Sequence, residues 1–330
     1  MALITVENLK KRFNLEAGFF AAAGRYVYAV NGVSFSIAEH ETYGLVGESG
    51  CGKTTTARML VRFYESDAGS IRYRDGIDAA KLRGAALKRY RERVKYVFQD
   101  PARSLDPRMS VYEVLTSGYR WSSSWPGHST ARREAAAILE ETGLSGEDLE
   151  RRPAEFSGGQ RQRISIARGL LMKPELLICD EVVSALDVSI QGQILNLLLD
   201  IKERRGLSFL FIAHDLKAAS WFCDRIGVMY RGELVEEAAA EDLYLKARHP
   251  YTKLLFRAVS GGAAPVPEGG LQGGPEGGLR GEVKTALAEI PGCAFAERCP
   301  LAEERCRREK PEFRAAGPAA HRVRCFRAGE

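Results

Sequence analysis

The chain opens with alternating apolar and polar residues. Ile4-Thr5-Val6-Glu7-Asn8-Leu9 has the period of two of a half-buried strand. Val30 to Ile37 repeats that period, with Val33, Phe35 and Ile37 on one face, and Ala68-Gly69-Ser70 turns into the short strand Ile71-Arg72-Tyr73. Together these predict a small, mainly antiparallel sheet. Asn14 to Arg25 interrupts it and reads as an insertion or amphipathic loop. Later strands are different. Tyr43-Gly44-Leu45-Val46 is an apolar run, Leu176 to Cys179 is a short all-apolar strand, as in a sheet covered on both faces, Leu207 to Ala213 is another buried strand, and Val94 to Phe98 is a strand that Gln99-Asp100-Pro101 ends. Between them, Leu82 to Arg93, Ser110 to Ser117, Ser129 to Thr142, Gln160 to Met172 and Gln191 to Arg205 are helix-compatible. Asp224 to Tyr230 and Glu233 to Glu236 read as a final strand pair around Arg231-Gly232. Strands alternating with helices predict an α/β fold with a largely parallel sheet. Residues 260–281 are dominated by Gly and Pro, read as a linker or mobile excursion, and are followed by a short cysteine-rich tail.

Composition changes little in that picture. A length of 330 residues holds one large domain and a small one, or two medium ones, and 45% hydrophobic residues are ordinary for a globular protein. A net charge of +5 permits an anionic partner without arguing for one, and the basic stretch Leu82–Arg93 reads as a charged helix face rather than a nucleic-acid patch. No apolar run approaches the roughly 20 residues of a membrane span, and the first residues lack a signal-peptide layout. The expectation is a cytoplasmic chain whose seven cysteines are mostly reduced.

The chemistry begins at Gly47-Glu48-Ser49-Gly50-Cys51-Gly52-Lys53-Thr54, placed between the apolar run at Tyr43–Val46 and a helix starting Thr55-Thr56-Ala57. This is G-x-x-x-x-G-K-[ST] in a strand-to-helix context, a phosphate loop. Its glycines let successive backbone N–H groups turn around a phosphate at a helix N-terminus. Lys53 neutralises phosphate charge, and the Thr54 hydroxyl suits Mg²⁺. Leu176-Leu177-Ile178-Cys179-Asp180-Glu181 is an apolar strand ending in two acids. Asp180 is placed to hold Mg²⁺ and Glu181 to orient or deprotonate water. Phe156-Ser157-Gly158-Gly159-Gln160 is a second anion-binding turn running into a helix. A second cradle is redundant for one nucleotide within one chain. It makes sense in a head-to-tail dimer, where each nucleotide lies between one subunit's phosphate loop and the other's Ser-Gly-Gly turn.

With those three stretches and their order, the sequence closely resembles the ATP-binding cassette (ABC) ATPases. Walker A is Gly47–Thr54, the Q-loop glutamine is Gln99, and the signature is Ser157, Gly158, Gly159 and Gln160. Walker B is Leu176–Asp180 followed by Glu181, the D-loop runs Ser184-Ala185-Leu186-Asp187, and the switch histidine is His214. The resemblance implies a RecA-like core with an antiparallel β subdomain and a helical subdomain. It implies that Gly47 to Thr55 bind ATP, that Thr54, Gln99 and Asp180 serve Mg²⁺, and that Glu181, with Gln99 and His214, carries hydrolysis. An aromatic should stack on adenine; Phe13, Tyr26 and Tyr28 are candidates, with Tyr28 favoured. Val182 departs from the family's proline outside the chemistry.

Further stretches look like the ATPases of oligopeptide/dipeptide importers. They are Gln99 to Ser110, Ser184 to Ser189, His249-Pro250-Tyr251-Thr252-Lys253-Leu254-Leu255, and the tail from Pro291 to Cys325. That resemblance implies an ATPase domain over residues 1–258, with its helical subdomain at about 100–170, and a C-terminal extension over 259–330. It implies a paralogous ATPase subunit, since Asp106-Pro107-Arg108-Met109 resembles the second of a pair. Two membrane permeases, an external substrate-binding protein and the cytoplasmic face of the membrane are implied as well, with no nucleic acid. Nickel and glutathione importers share the branch, and a soluble cassette ATPase is the other alternative. Cys293, Cys299, Cys306 and Cys325 are separated by five, six and eighteen residues. Four thiolates can ligate Zn²⁺ or an iron–sulfur cluster, but zinc ribbons favour closer pairs. The wide spacing suits a cluster met by separate loops, and the resemblance also points to [4Fe–4S].

Overall fold

The computed structural model describes residues 1–15, 26–259, 290–316 and 321–328. Most of the stretch from Asn14 to Arg25, and the Gly/Pro segment at 260–281, lie outside the described residues. Three strands, β1 (Ala2–Asn14), β2 (Tyr26–Ala38) and β4 (Ala68–Tyr73), form an antiparallel sheet in the order β2-β1-β4. Ile4 faces Ile37, Val6 faces Phe35 and Leu9 faces Val33, so the alternation read in both segments meets on one buried face.

The second sheet is mixed. Its parallel core comprises β3 (Thr42–Val46), β5 (Val94–Val97), β6 (Leu176–Asp180), β7 (Ser208–Ala213) and β8 (Arg225–Tyr230) in the order β8-β3-β7-β6-β5. Every residue of β3, β6 and β7 is buried, which explains their largely apolar sequences. β9 (Glu233–Ala239) returns antiparallel to β8. The two-residue loop between them has Arg231 at φ 45° and Gly232 at φ 83°, the left-handed pair a tight hairpin requires.

Helices cover both faces. α1 (Lys53–Leu60) follows β3, and α2 (Gly84–Arg93) buries only Tyr90, matching its charged face. α3 (Pro101–Ser104), α4 (Val111–Thr116), α5 (His128–Glu141) and α6 (Gly158–Leu170) form a helical segment between β5 and β6. Its helix starts are legible in the side chains. Asp100 caps α3 ahead of Pro101, and Ser110 with Glu113 and Ser157 with Gln160 are reciprocal capping boxes. α6 starts at Gly158 and α7 (Val188–Arg205) at Val188, each a little earlier than the apolar period suggests. α7 ends at Gly206 with φ 60°. α8 (Leu216–Phe222), α9 (Ala240–Lys246) and α10 (Pro250–Val259) were not read from the apolar pattern.

The chain's last part is built onto this sheet. α11 (Glu304–Arg308) is followed by two-residue strands β10 (Arg314–Ala315) and β11 (Arg322–Val323), and β11 pairs with β9. Glu236 of β9 is fully buried and joins the parts. It accepts hydrogen bonds from the backbone N–H groups of Arg248 (2.6 Å) and His249 (2.9 Å) and faces His321 Nε2 at 2.7 Å. Removing it strands several buried donors, each costing about 1–3 kcal/mol. Glu236→Ala should therefore destabilise the chain by about 3 kcal/mol, and Glu236→Gln by less. Urea unfolding checks this, and a loss under about 1 kcal/mol for the alanine variant contradicts the role assigned to Glu236.

Candidate active site

β3, β7, β6 and β5 run parallel, with Val46 opposite Ala213, Ile212 opposite Asp180 and Cys179 opposite Val97. Their carboxyl ends therefore share one edge of the sheet. The residues that follow are Gly47 of the phosphate loop, His214, Glu181 and, after Phe98, Gln99. One edge thus gathers motifs scattered across the chain, as ligand sites of such sheets do.

The loop after β3 is closely packed. Gly52 sits at φ 107°, and a Cβ there would lie 2.2 Å from the Ala29 carbonyl oxygen. Gly47 is equally confined, with the Met229 carbonyl oxygen 2.2 Å from a built Cβ. The backbone can curl only because these positions lack side chains. Lys53, 4% exposed, donates from Nζ to the carbonyls of Gly47 (2.7 Å) and Glu48 (3.0 Å). Cys51 is fully buried and burial raises its thiol pKa, so it packs the loop rather than acting as a nucleophile.

The tip of β6 meets this loop. Thr54 Oγ1 donates to Asp180 Oδ1 at 3.0 Å, and the Tyr96 hydroxyl donates to Asp180 Oδ2. Asp180 is 1% exposed, so these bonds fix its carboxylate. Hydroxyl and carboxylate oxygens side by side are the donor set a hard divalent cation takes. Glu181 stands at φ 49°, a conformation that costs a non-glycine residue about 1–3 kcal/mol and is typical of functional sites. Its N–H donates to the Ile212 carbonyl at 3.0 Å and its carbonyl accepts from Ser184 Oγ at 2.9 Å. Gln99 Nε2 donates to Glu181 Oε2 at 2.6 Å, and His214 Nδ1 lies 3.9 Å from that oxygen. Gln99 and Glu181, 82 positions apart, are thus in contact.

Other expected site residues lie elsewhere. The hydrogen bonds of Ser157 and Gln160 close their own capping box, and none from Ser157 to Gln160 reaches this chain's phosphate loop among the described residues. Ser157, Gly158, Gln160 and Asp187 are exposed. Of the aromatic candidates, Phe13 packs edge-on against Tyr64 (5.3 Å) and Tyr26 lies under the Arg12 guanidinium (4.5 Å). The ring of Tyr28 contacts no other ring or cation among the described residues.

Sequence reasoning missed Tyr96, Arg298 and Tyr251. Tyr96 is the one hydroxyl of its strand, a usable signal. Arg298 forks onto the Glu48 carboxylate (2.9 and 3.2 Å), and Tyr251 OH accepts from the Glu48 N–H at 2.9 Å.

Cys293, Cys299, Cys306 and Cys325 line one cavity together with His249, Phe295 and Phe326. All seven cysteines are free. Burial pushes the Cys293 thiol up to about 11, and the three other cysteines of the cavity add to the shift. Burial pushes His249 down to about 4, keeping it neutral. Its Nδ1 accepts from the Tyr251 N–H at 3.1 Å, while its buried Nε2 has no partner among the described residues. Among the described residues no three His, Cys, Asp or Glu side chains are grouped to hold a single metal ion.

The fold and this edge define a P-loop nucleoside triphosphatase of the cassette type. Residues 30–184 match the family model of the ABC transporters, and residues 235–306 match that of the oligopeptide/dipeptide transporter C-terminal region. A probable peptide ABC transporter ATP-binding protein of Sinorhizobium fredii is 44% identical over 94% of this chain and 86% of its own length. An oligopeptide transport ATP-binding protein of Bacillus subtilis is 39% identical over 98% and 96%. The ATP-binding cassette MJ0796, solved as a dimer in a post-hydrolysis state with ADP and phosphate, superposes with a TM-score of 0.63. It is 26% identical, over 72% of this chain and 98% of its own. The chain belongs to the ABC transporter ATP-binding proteins, in the branch carrying the oligopeptide/dipeptide C-terminal region, and is an ATP-hydrolysing enzyme.

A side chain at Gly52 would need both a left-handed backbone and displacement of Ala29. Gly52→Ala should lower stability by about 2 kcal/mol or more and weaken nucleotide binding at least tenfold. Thermal melts with and without Mg²⁺-ATP check it, and a variant with native melting and a native nucleotide shift contradicts the packing account.

Proposed function

We propose that this chain is the ATP-hydrolysing subunit that powers peptide import through an ABC transporter. The observation that carries the hydrolytic part is the contact of Gln99 and Glu181 beside the Thr54–Asp180 pair. The peptide part rests on the C-terminal region match and on the names of relatives that span nearly the whole chain.

In this reading the amides from Gly47 to Thr55 and the Lys53 ammonium hold the ATP phosphates, and Tyr28 stacks on adenine. Thr54, Asp180 and Gln99 hold Mg²⁺, which when bound neutralises phosphate charge. Glu181 orients a water, held by the backbone of its strained turn and by Gln99. As the water oxygen attacks the γ-phosphorus, Glu181 Oε2 accepts its proton, and the bond to the β–γ bridging oxygen breaks to leave ADP and phosphate. His214 stands beside Glu181 to contact the γ-phosphate. Ser157 to Gln160 and Asp187 serve the nucleotide of a partner cassette; Ser157, Gly158, Gln160 and Asp187 are exposed, and no hydrogen bond ties Ser157 to Gln160 to this loop among the described residues. A paralogous ATPase is the partner we favour, with two permeases and an external substrate-binding protein completing the importer. None of the described helices is long and apolar enough to cross a membrane. A peripheral position at the cytoplasmic membrane face follows from the assignment. We take residues 1–258 as the ATPase domain, with its helical subdomain at about 100–170, and 259–330 as the extension.

The extension, in this reading, holds a [4Fe–4S] cluster on Cys293, Cys299, Cys306 and Cys325. The support is that all four cysteines line one cavity and that their wide spacing in sequence is unlike the close pairs of zinc ribbons. The Nε2 of His249, a residue lining the same cavity and without a partner among the described residues at that atom, is a donor suited to a sulfur acceptor. The cluster's chemistry is structural, cross-linking loops too short to bury a core of their own.

Glu181→Gln should lower phosphate release by the assembled transporter at least a hundredfold while preserving nucleotide binding, consistent with loss of an acid–base group. Native turnover in that variant removes Glu181 from the mechanism. Anaerobically purified native chain should contain iron and acid-labile sulfide with a broad visible absorbance. A colourless preparation containing zinc rejects the cluster assignment.

A further inference from the structure

Glu48 is the second residue of the phosphate loop, and its side chain is only 16% exposed. A carboxylate so placed repels a triphosphate unless it is neutralised and held away. Both tasks fall to residues outside the loop. Arg298 Nη1 donates to Glu48 Oε2 at 2.9 Å and Nη2 to Oε1 at 3.2 Å, a fork across 250 positions of sequence. The same guanidinium donates to the Tyr230 hydroxyl at 3.3 Å and lies near the rings of Tyr230 and Phe295.

The backbone of Glu48 is held from the same side. Its N–H donates to Tyr251 OH, and the Tyr251 ring packs against Tyr230 (4.6 Å) and Phe295 (5.3 Å). Phe295 stands two residues after Cys293, and Arg298 immediately precedes Cys299. The Arg298 N–H donates to the Phe295 carbonyl at 3.0 Å, and the Cys293 N–H to the Cys306 carbonyl at 2.8 Å. The segment that offers the guanidinium is therefore the segment that carries the cysteines.

We propose that Arg298 is a positioning residue for nucleotide binding: through Glu48 it ties the phosphate loop to the cysteine-bearing extension, so that the loop's affinity for ATP depends on that extension. It acts by neutralising the one acid of the loop and by fixing the loop's first turn. The inference rests on the ATP-binding reading of the loop and is independent of which metal the cysteines hold.

The test uses the full chain and the Mg²⁺ complex of a non-hydrolysable ATP analogue in isothermal titration calorimetry. Arg298→Gln should raise the dissociation constant at least threefold, because Glu48 is then unpaired beside the phosphate site. Adding Glu48→Gln should make binding tighter than in Arg298→Gln alone, because the uncompensated acid is gone. A residue that merely supports the extension gives neither result: its loss lowers the melting temperature, and a second substitution at Glu48 cannot restore affinity. A change under threefold for Arg298→Gln, or a double variant no tighter than the single, overturns the proposal. If Arg298→Gln does not fold, Arg298→Lys carries the test, since one ammonium cannot make both contacts. It should weaken binding at least twofold, and a smaller effect overturns the proposal. A native chain that binds no nucleotide would instead refute the ATPase assignment itself.

Discussion

The parallel register of β3, β7, β6 and β5 is the constraint on which the rest depends. Backbone hydrogen bonds place Val46 beside Ala213, and Asp180 beside Ile212. Once those pairs are set, the next residue on each strand falls at one edge of the sheet. The phosphate loop, the acid pair, the glutamine and the histidine need no further device to find one another. What remains is local adjustment. Glycines let the loop curl, Tyr96 and Thr54 fix Asp180, and Glu181 follows in a left-handed conformation beside Gln99. The cost of that turn falls on one residue and is offset by the fully buried strand that precedes it.

Much of this was legible in the residues. The alternation at Ile4–Leu9 and Val30–Ile37 reappears as paired strands with a common buried face, and the apolar runs reappear as the core of the parallel sheet. The phosphate loop announced itself because its chemistry needs consecutive residues. Legibility ended where contacts are distant or elements short. Two-residue strands such as β10 and β11 have no period to detect. The Arg298–Glu48 fork leaves no local mark, because an arginine near the end of a chain looks like any solvated cation. Tyr251 was noticed only as part of a family-like stretch, yet it is fully buried and carries a hydrogen bond into the loop.

The extension is packed into the core rather than hung from it. β11 extends the main sheet beyond β9, and buried Glu236 gathers the start of α10 and His321 around one carboxylate. Arg322 reaches Glu237, which also pairs with Arg225 of β8, so charges from the tail and the core share one buried acid. With Arg298 on Glu48, the cysteine-bearing segment touches both the far edge of the sheet and the nucleotide loop.

ATP is bound and cut at this edge of the sheet in the proposed function. This is tested most directly by determining the structure of the full chain with the Mg²⁺ complex of a slowly hydrolysed ATP analogue. The expected result is a terminal phosphate on Lys53, between Gln99 and Glu181, with Ser157 of a second cassette closing over it. A nucleotide held away from Lys53, or a terminal phosphate out of reach of Glu181 in the closed dimer, would contradict it.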